Sequence, residues 1–187
     1  MISELTAAQC LEKRWFVMHV SRMWRQAEQW LADPDNGLEH FIPRQVRPMV
    51  RAGKPRLETH WAIPGYLFIH ATQREIVEFK KAHNQITFVS WTAPDRPTRY
   101  LMVDDRQMAD FIRVSTSEQP GLTYLAPEQY DLSAGQRVRI IGGPFDGVDG
   151  HFIRLKGKRN RRLVVALDDF YGISAEIAPS LIQLLPD

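Results

Sequence analysis

Six residues after Gly65, running from Tyr66 to Ala71, carry no charge, and Pro64-Gly65 punctuates their start. An uncharged run of this length, opened by turn residues, forms a strand inside a sheet with both faces covered. Side chains alternate along a strand, so Leu67 and Ile69 point one way while Tyr66, Phe68 and His70 point the other. The aliphatic face suits helices from the same chain. The second face carries a phenol and an imidazole, groups that require polar partners when buried. It is either the other half of a core or an aromatic binding surface.

Around this strand the chain alternates between strand and helix. Arg14 to Val20 is a second strand-like run, Ser21 is placed to cap a helix through Ala32, and Asp33-Pro34-Asp35-Asn36-Gly37 ends that helix. Leu38 to Val50 is extended, with Pro43 and Pro48 assigning it to edges or bends. A hairpin tip at Gly53-Lys54 follows, with Arg44, Arg47, Arg51, Lys54 and Arg56 along its arms. Thr72 caps a helix carrying Ile76, Val77 and Phe79; Ile86 to Trp91 is a strand; Asp104 caps a helix over 105–114 lined by Met108, Phe111 and Ile112. The order predicts an α+β fold: a mixed or antiparallel sheet with helices on one side and the other face open to solvent or a partner.

The pattern changes after Ser115. Pro120-Gly121, Pro127 and Ser133-Ala134-Gly135 mark a linker over 116–134 that docks locally through Leu122, Tyr124 and Leu125. Strand-like segments then recur at short spacing: Gln136 to Ile141, Val148 to Leu155, Leu163 to Leu167, Gly172 to Glu176 and Ser180 to Leu185. About five short strands in so little chain form a small antiparallel barrel. Gly142, Gly143 and Gly147 sit where the chain must reverse, and glycine enters positive φ without steric cost.

Composition narrows the function classes. At 187 residues, 44% hydrophobic and 25% charged, the chain is globular and has room for one ordinary domain plus a small one. No apolar run approaches a membrane span, the 1–13 leader lacks a signal-peptide core, and the single cysteine, Cys10, has no disulfide partner, which together place the protein in the cytoplasm. The net charge is +2, so nucleic-acid affinity has to come from local clustering. Nothing points to an enzyme. The six histidines lack metal-ligand spacing, no glycine-rich loop opens a helix, and Asp104-Asp105 and Asp168-Asp169 are adjacent pairs that suit capping better than shared chemistry. No metal or cofactor is expected.

Several segments carry a family resemblance. Val138 to Gly150 closely resembles the KOW motif, and Asp169 through Leu185 is similar to the end of the SH3-like KOW barrel of NusG-type transcription factors. Arg14-Trp15-Phe16-Val17, Ile63-Pro64-Gly65-Tyr66-Leu67-Phe68 and Pro94-Asp95-Arg96-Pro97 are similar, in the same order, to signatures of the NusG N-terminal (NGN) domain. The resemblance spans nearly the whole chain. It implies an NGN-like domain over 14–115, a linker over 116–134 and a KOW domain over 135–187. The implied function is non-enzymatic: a monomeric transcription elongation or antitermination factor whose N-terminal domain binds the RNA polymerase clamp and whose KOW domain recruits a ribosomal protein or a termination factor. Trp61-Ala62 before Pro-Gly and the apolar linker resemble the specialised paralogues that act on long operons, such as those for surface polysaccharides.

Carried over by position, Ile63 and Tyr66 fall on the polymerase-binding surface; Phe68 joins them by strand alternation, and His19 lies on the neighbouring strand. Phe170 and Tyr171 match the KOW loop that meets a protein partner. Specialised paralogues can read the non-template DNA strand, for which Arg22, Arg25, Arg74 and the 44–56 hairpin supply cations and Trp24 a stacking surface. The competing reading is a ribosome-associated or general RNA-binding KOW protein using Lys156 to Arg162 as a phosphate-contacting tip. For the KOW segment, β-branched residues and interrupting glycines favour strands over any helical alternative.

Overall fold

Two units, residues 1–104 and 105–187, divide the chain. The computed structural model describes residues 2–3, 11–91, 98–157, 159–168 and 170–186. Cys10, most of the 1–13 leader, the Pro94–Pro97 signature, Lys158 and Asp169 lie outside the described residues.

In the first unit the strands are β1 (Ile2–Ser3), β2 (Arg14–Val20), β3 (Glu39–Phe41), β4 (Arg44–Arg51), β5 (Lys54–Trp61), β6 (Tyr66–Ala71), β7 (Ile86–Phe88), β8 (Ser90–Trp91) and β9 (Arg99–Val103). The helices are α1 (Trp24–Ala32) and α2 (Gln73–Ala82). The main sheet runs β1-β9-β2-β6-β3, with β7 added to β2 and β8 to β9, and every pairing is antiparallel. β6 lies inside the sheet as its uncharged run requires, with Leu67, Phe68 and Ile69 fully buried. One core forms where Phe16, Met18, Leu67 and Ile69 meet Ala27 and Leu31 of α1 and Ile76 of α2.

The helix starts differ in how they are made. Thr72 and Glu75 form a reciprocal capping box, the Glu75 amide donating to Thr72 Oγ1 (3.2 Å) and the Thr72 amide to Glu75 Oε2 (2.7 Å). Ser21, in contrast, caps nothing. α1 begins two residues later, after Met23, whose backbone is left-handed (φ 62°) and which offers no side-chain cap. The chain turns on Met23 within three residues of leaving β2, which leaves Ser21 too early to reach the first turn. On α2, Val77 is exposed, so its apolar stripe is narrower than its sequence implies.

The second sheet face is not open along its length. Val17 and Phe68 are fully buried, and Trp15 and Val103 are buried beside them. Burying a ring such as Phe68 is worth about 2 to 3 kcal/mol, which makes an exposed mid-strand phenylalanine a poor resting state. At both ends of β6 this face loosens, at His70 and at Tyr66 with its cross-strand partner His19.

β4 and β5 pair only with each other, from Arg44↔Trp61 to Arg51↔Lys54. The turn is Ala52-Gly53, both at positive φ, one residue earlier than expected. A strand without a second neighbour accommodates Pro48, because one edge needs no donor there. Val46, Val50 and Leu57 are all exposed on this hairpin.

The second unit holds α3 (Asp105–Ser115), β10 (Thr123–Leu125), β11 (Gln136–Ile140), β12 (Asp149–Arg154), β13 (Arg161–Ala166), β14 (Gly172–Ala175) and β15 (Ile182–Leu184). They form an antiparallel six-stranded sheet in the order β10-β14-β13-β12-β11-β15. The turn after β11 places Gly142, Gly143 and Gly147 at positive φ, where the chain reversal needs them. Segment 116–134 supplies β10 to this sheet, and Leu125, Tyr130 and Leu132 pack with Ile153, Leu155 and Val164. α3 packs on β13 and β14 with Met108, Phe111 and Val114 fully buried.

Candidate functional site

Where β6 begins, the first unit opens a cleft of about 620 Å³. His19 and Val20 at the end of β2, Ser21 and Trp24 at the entry to α1, and Pro64 and Gly65 ahead of β6 form one side. Arg47, Met49, His60 and Trp61 of the β4–β5 hairpin form the other. Three chain segments far apart in sequence therefore meet at one opening.

Hydrogen bonds hold the hairpin side in place. Trp61 is buried, and its Nε1 donates to Glu28 Oε1 of α1 (2.6 Å); Arg44 reaches the same oxygen (3.0 Å). One carboxylate thus ties the base of the hairpin to α1, and a hydrogen bond to a charged acceptor is worth more than a neutral one. Trp24 meets Trp61 edge-to-face at 6.3 Å, and the Arg25 guanidinium lies 5.0 Å over the Trp24 ring. Trp24 remains 42% exposed, so part of its ring is available to a partner.

Gly65 sets the opposite side. Its φ of 79° is left-handed, and a β-carbon there would come within 3.2 Å of the Val20 carbonyl oxygen and 3.4 Å of His19 Nε2. Its own carbonyl accepts from the Val20 amide at 2.7 Å. This close approach seats the His19 ring 5.0 Å from the Tyr66 ring, both half-buried. His60 adds a buried Nε2 with no hydrogen-bond partner, Glu58 being 3.7 Å away.

Of the residues expected on the polymerase-binding surface, His19 and Tyr66 lie at or beside this opening. Ile63 and Phe68 do not: both are fully buried, and they shape the strand from behind. Arg22, Trp24 and Arg25 sit together and exposed around the start of α1, whereas Arg74 is on α2 and does not line the cleft. Met49, His60 and Trp61 were not foreseen as site residues. The Trp61–Glu28 bond spans 33 residues, a separation that no local pattern reports.

In the second unit, Phe170 and Tyr171 occupy the β13–β14 turn, edge-to-face at 4.9 Å, each half-buried. Backbone bonds from the Leu167 amide to the Tyr171 carbonyl (2.8 Å) and from the Phe170 amide to the Leu167 carbonyl (3.0 Å) fix the turn. No group of three histidine, cysteine, aspartate or glutamate side chains gathers to hold a metal among the described residues, and no described helix is long and apolar enough to cross a membrane.

No protein-family model matches the chain. It is 28% identical over 127 residues to the transcription termination/antitermination protein NusG of Borreliella burgdorferi, a match covering 65% of this chain and 66% of that protein. The chain thus spans just under two thirds of that relative's length. This similarity and the ordered motifs point the same way: the chain is similar to NusG-type proteins.

Proposed function

We propose that the protein is a transcription elongation or antitermination factor that binds RNA polymerase through the cleft at the start of β6. The observation that carries this is the His19–Tyr66 pair opening beside Trp24 and Trp61, an aromatic recess whose cationic lining residue is Arg47. Recesses of this kind take an apolar anchor from a partner, and tryptophan and tyrosine supply most of the energy at such sites. Similarity to a NusG supports RNA polymerase as that partner. The exposed Val46, Val50 and Leu57 extend the apolar surface along the hairpin.

In the same reading the second unit recruits a protein partner, a ribosomal protein or a termination factor, through the Phe170–Tyr171 turn. The Arg22, Trp24 and Arg25 cluster faces the non-template DNA strand, in the manner of an operon-specific paralogue working beside the polymerase in the cytoplasm. Arg74, remote from the cleft lining, drops out of that cluster. Chromatin immunoprecipitation tests the specialist role: occupancy at a few loci supports it, and occupancy across all transcribed genes identifies a general factor.

A further inference from the structure

The second unit grips segment 116–134 at several places. Pro120-Gly121 turns the chain, with Gly121 at φ 78°, and presents the Gly121 carbonyl oxygen to Arg162 of β13. Tyr124 of β10 sets its ring edge-to-face with Phe111 of α3 at 6.1 Å, and its hydroxyl shares a hydrogen bond with Ser115 Oγ. Farther along, Tyr130 donates to the Asp168 carbonyl oxygen (3.3 Å).

The contact at Gly121 involves a buried charge. Arg162 is 2% exposed. A guanidinium does not give up its proton in a protein, so a buried one needs an acceptor for each arm of its fork. β14 serves two arms: Nε donates to Ser174 Oγ (3.2 Å) and Nη1 to Glu176 Oε1. Nη2 donates to Gly121, and its second described acceptor, the Ser174 carbonyl oxygen, is 3.5 Å away. The fork is therefore complete when the segment lies in place, and lifting the segment leaves a buried donor poorly met. The strand pairing beside it is short. β10 has three residues and is an edge strand, joined to the sheet through β14. A short edge element opens more readily than interior strands such as β12 and β13.

We propose that Arg162 is a latch that keeps segment 116–134 strapped to the second unit, and that the strap opens while the sheet behind it stays folded. Opening frees residues 116–125, about ten residues that extend to roughly 35 Å. The same stretch is then part of a fold when latched and a tether when released. Tether length sets the effective concentration at which linked units meet their partners, so the latch tunes that quantity without a new contact surface. It does so whatever either unit binds.

Hydrogen exchange of the full chain at pH 7, read by mass spectrometry, tests it. In the parent, peptides covering 119–127 should exchange at least about a hundredfold more slowly than an unstructured chain, yet faster than those covering β12 and β13, as a local opening requires. Arg162→Gln removes a charged donor, so exchange at 119–127 should speed at least about tenfold while β11 and β12 stay within about twofold of the parent. Tyr124→Phe keeps the buried ring and removes the bond to Ser115, and should speed the same peptides at least about threefold. Cleavage by glutamyl endopeptidase after Glu118 and Glu128 should rise in both variants. The proposal is overturned if 119–127 exchanges in the parent as an unstructured chain does. It is equally overturned if Arg162→Gln loosens β11 and β12 as much as 119–127, the mark of an ordinary core residue, or leaves 119–127 unchanged. Should Arg162→Gln fail to fold, Tyr124→Phe decides alone, and unaltered exchange and cleavage in it overturn the proposal.

Discussion

At Gly65 backbone geometry and site geometry coincide. Any side chain there is strained by the left-handed φ and presses on both the Val20 carbonyl and the His19 ring. Gly65→Ala is therefore expected to cost about 1 to 2 kcal/mol of stability, read by thermal melting, and to displace His19, read as a shift in its ring resonances. Trp61 is the second such residue. Trp61→Phe keeps a buried ring but removes the donor to Glu28, leaving that carboxylate with Arg44 as its remaining described partner at Oε1. The expected loss is about 1.5 kcal/mol, and Glu28→Gln in the same background should add little, since the two residues share one interaction.

Among the elements, the strands were the most legible because their evidence is local. The uncharged run of β6, the alternation in β11 and the glycines after it appear in a few consecutive residues each, and each element formed where it was read. Strand alternation also placed Phe68 on the same face as Tyr66, yet sequence could not show that this face is buried in mid-strand and loosens at its ends. β10 was read as linker because three residues between Gly121 and Pro127 carry little signal, and its partner β14 lies some fifty residues on. The seat of α3 was not visible: the helix reads with the first domain's sheet over 14–115, and it packs on β13 and β14 of the second unit. Leu163-Val164-Val165-Ala166-Leu167 is a continuous apolar run, and β13 and β14 are buried on both faces, as strands covered on both sides require. Polar contacts pin α3 there: Asp110 Oδ2 accepts from the Asp149 amide (3.1 Å), Arg106 reaches Asp149 (2.9 Å), and Gln107 reaches Asp168 (3.0 Å). Burial, with the nearby Asp149 charge, pushes the Asp110 carboxyl up, whereas the Arg139 fork on Asp149 holds that carboxyl down. A raised carboxyl binds its proton more tightly when folded, so its ionisation erodes stability as the pH climbs through the carboxylate range. A lowered one does the opposite, its contribution disappearing as the pH falls through its folded value. Asp110→Asn should therefore stabilise the second unit at pH 7 and lose that advantage below about pH 4. Hydrogen exchange of β13 and β14 amides at the two pH values measures this.

Taken as a whole, the molecule consists of two separately packed units, with the aromatic recess in the first. Apolar anchoring in the first unit's recess should change little between about 50 and 200 mM salt. The decisive measurement is the affinity of the full chain for purified RNA polymerase, parent against Tyr66→Ala and Trp24→Ala, with near-ultraviolet circular dichroism verifying the fold. A central aromatic anchor is worth about 2 kcal/mol or more, so each variant should bind at least about tenfold more weakly while remaining folded. Folded variants that bind polymerase as tightly as the parent would contradict the account.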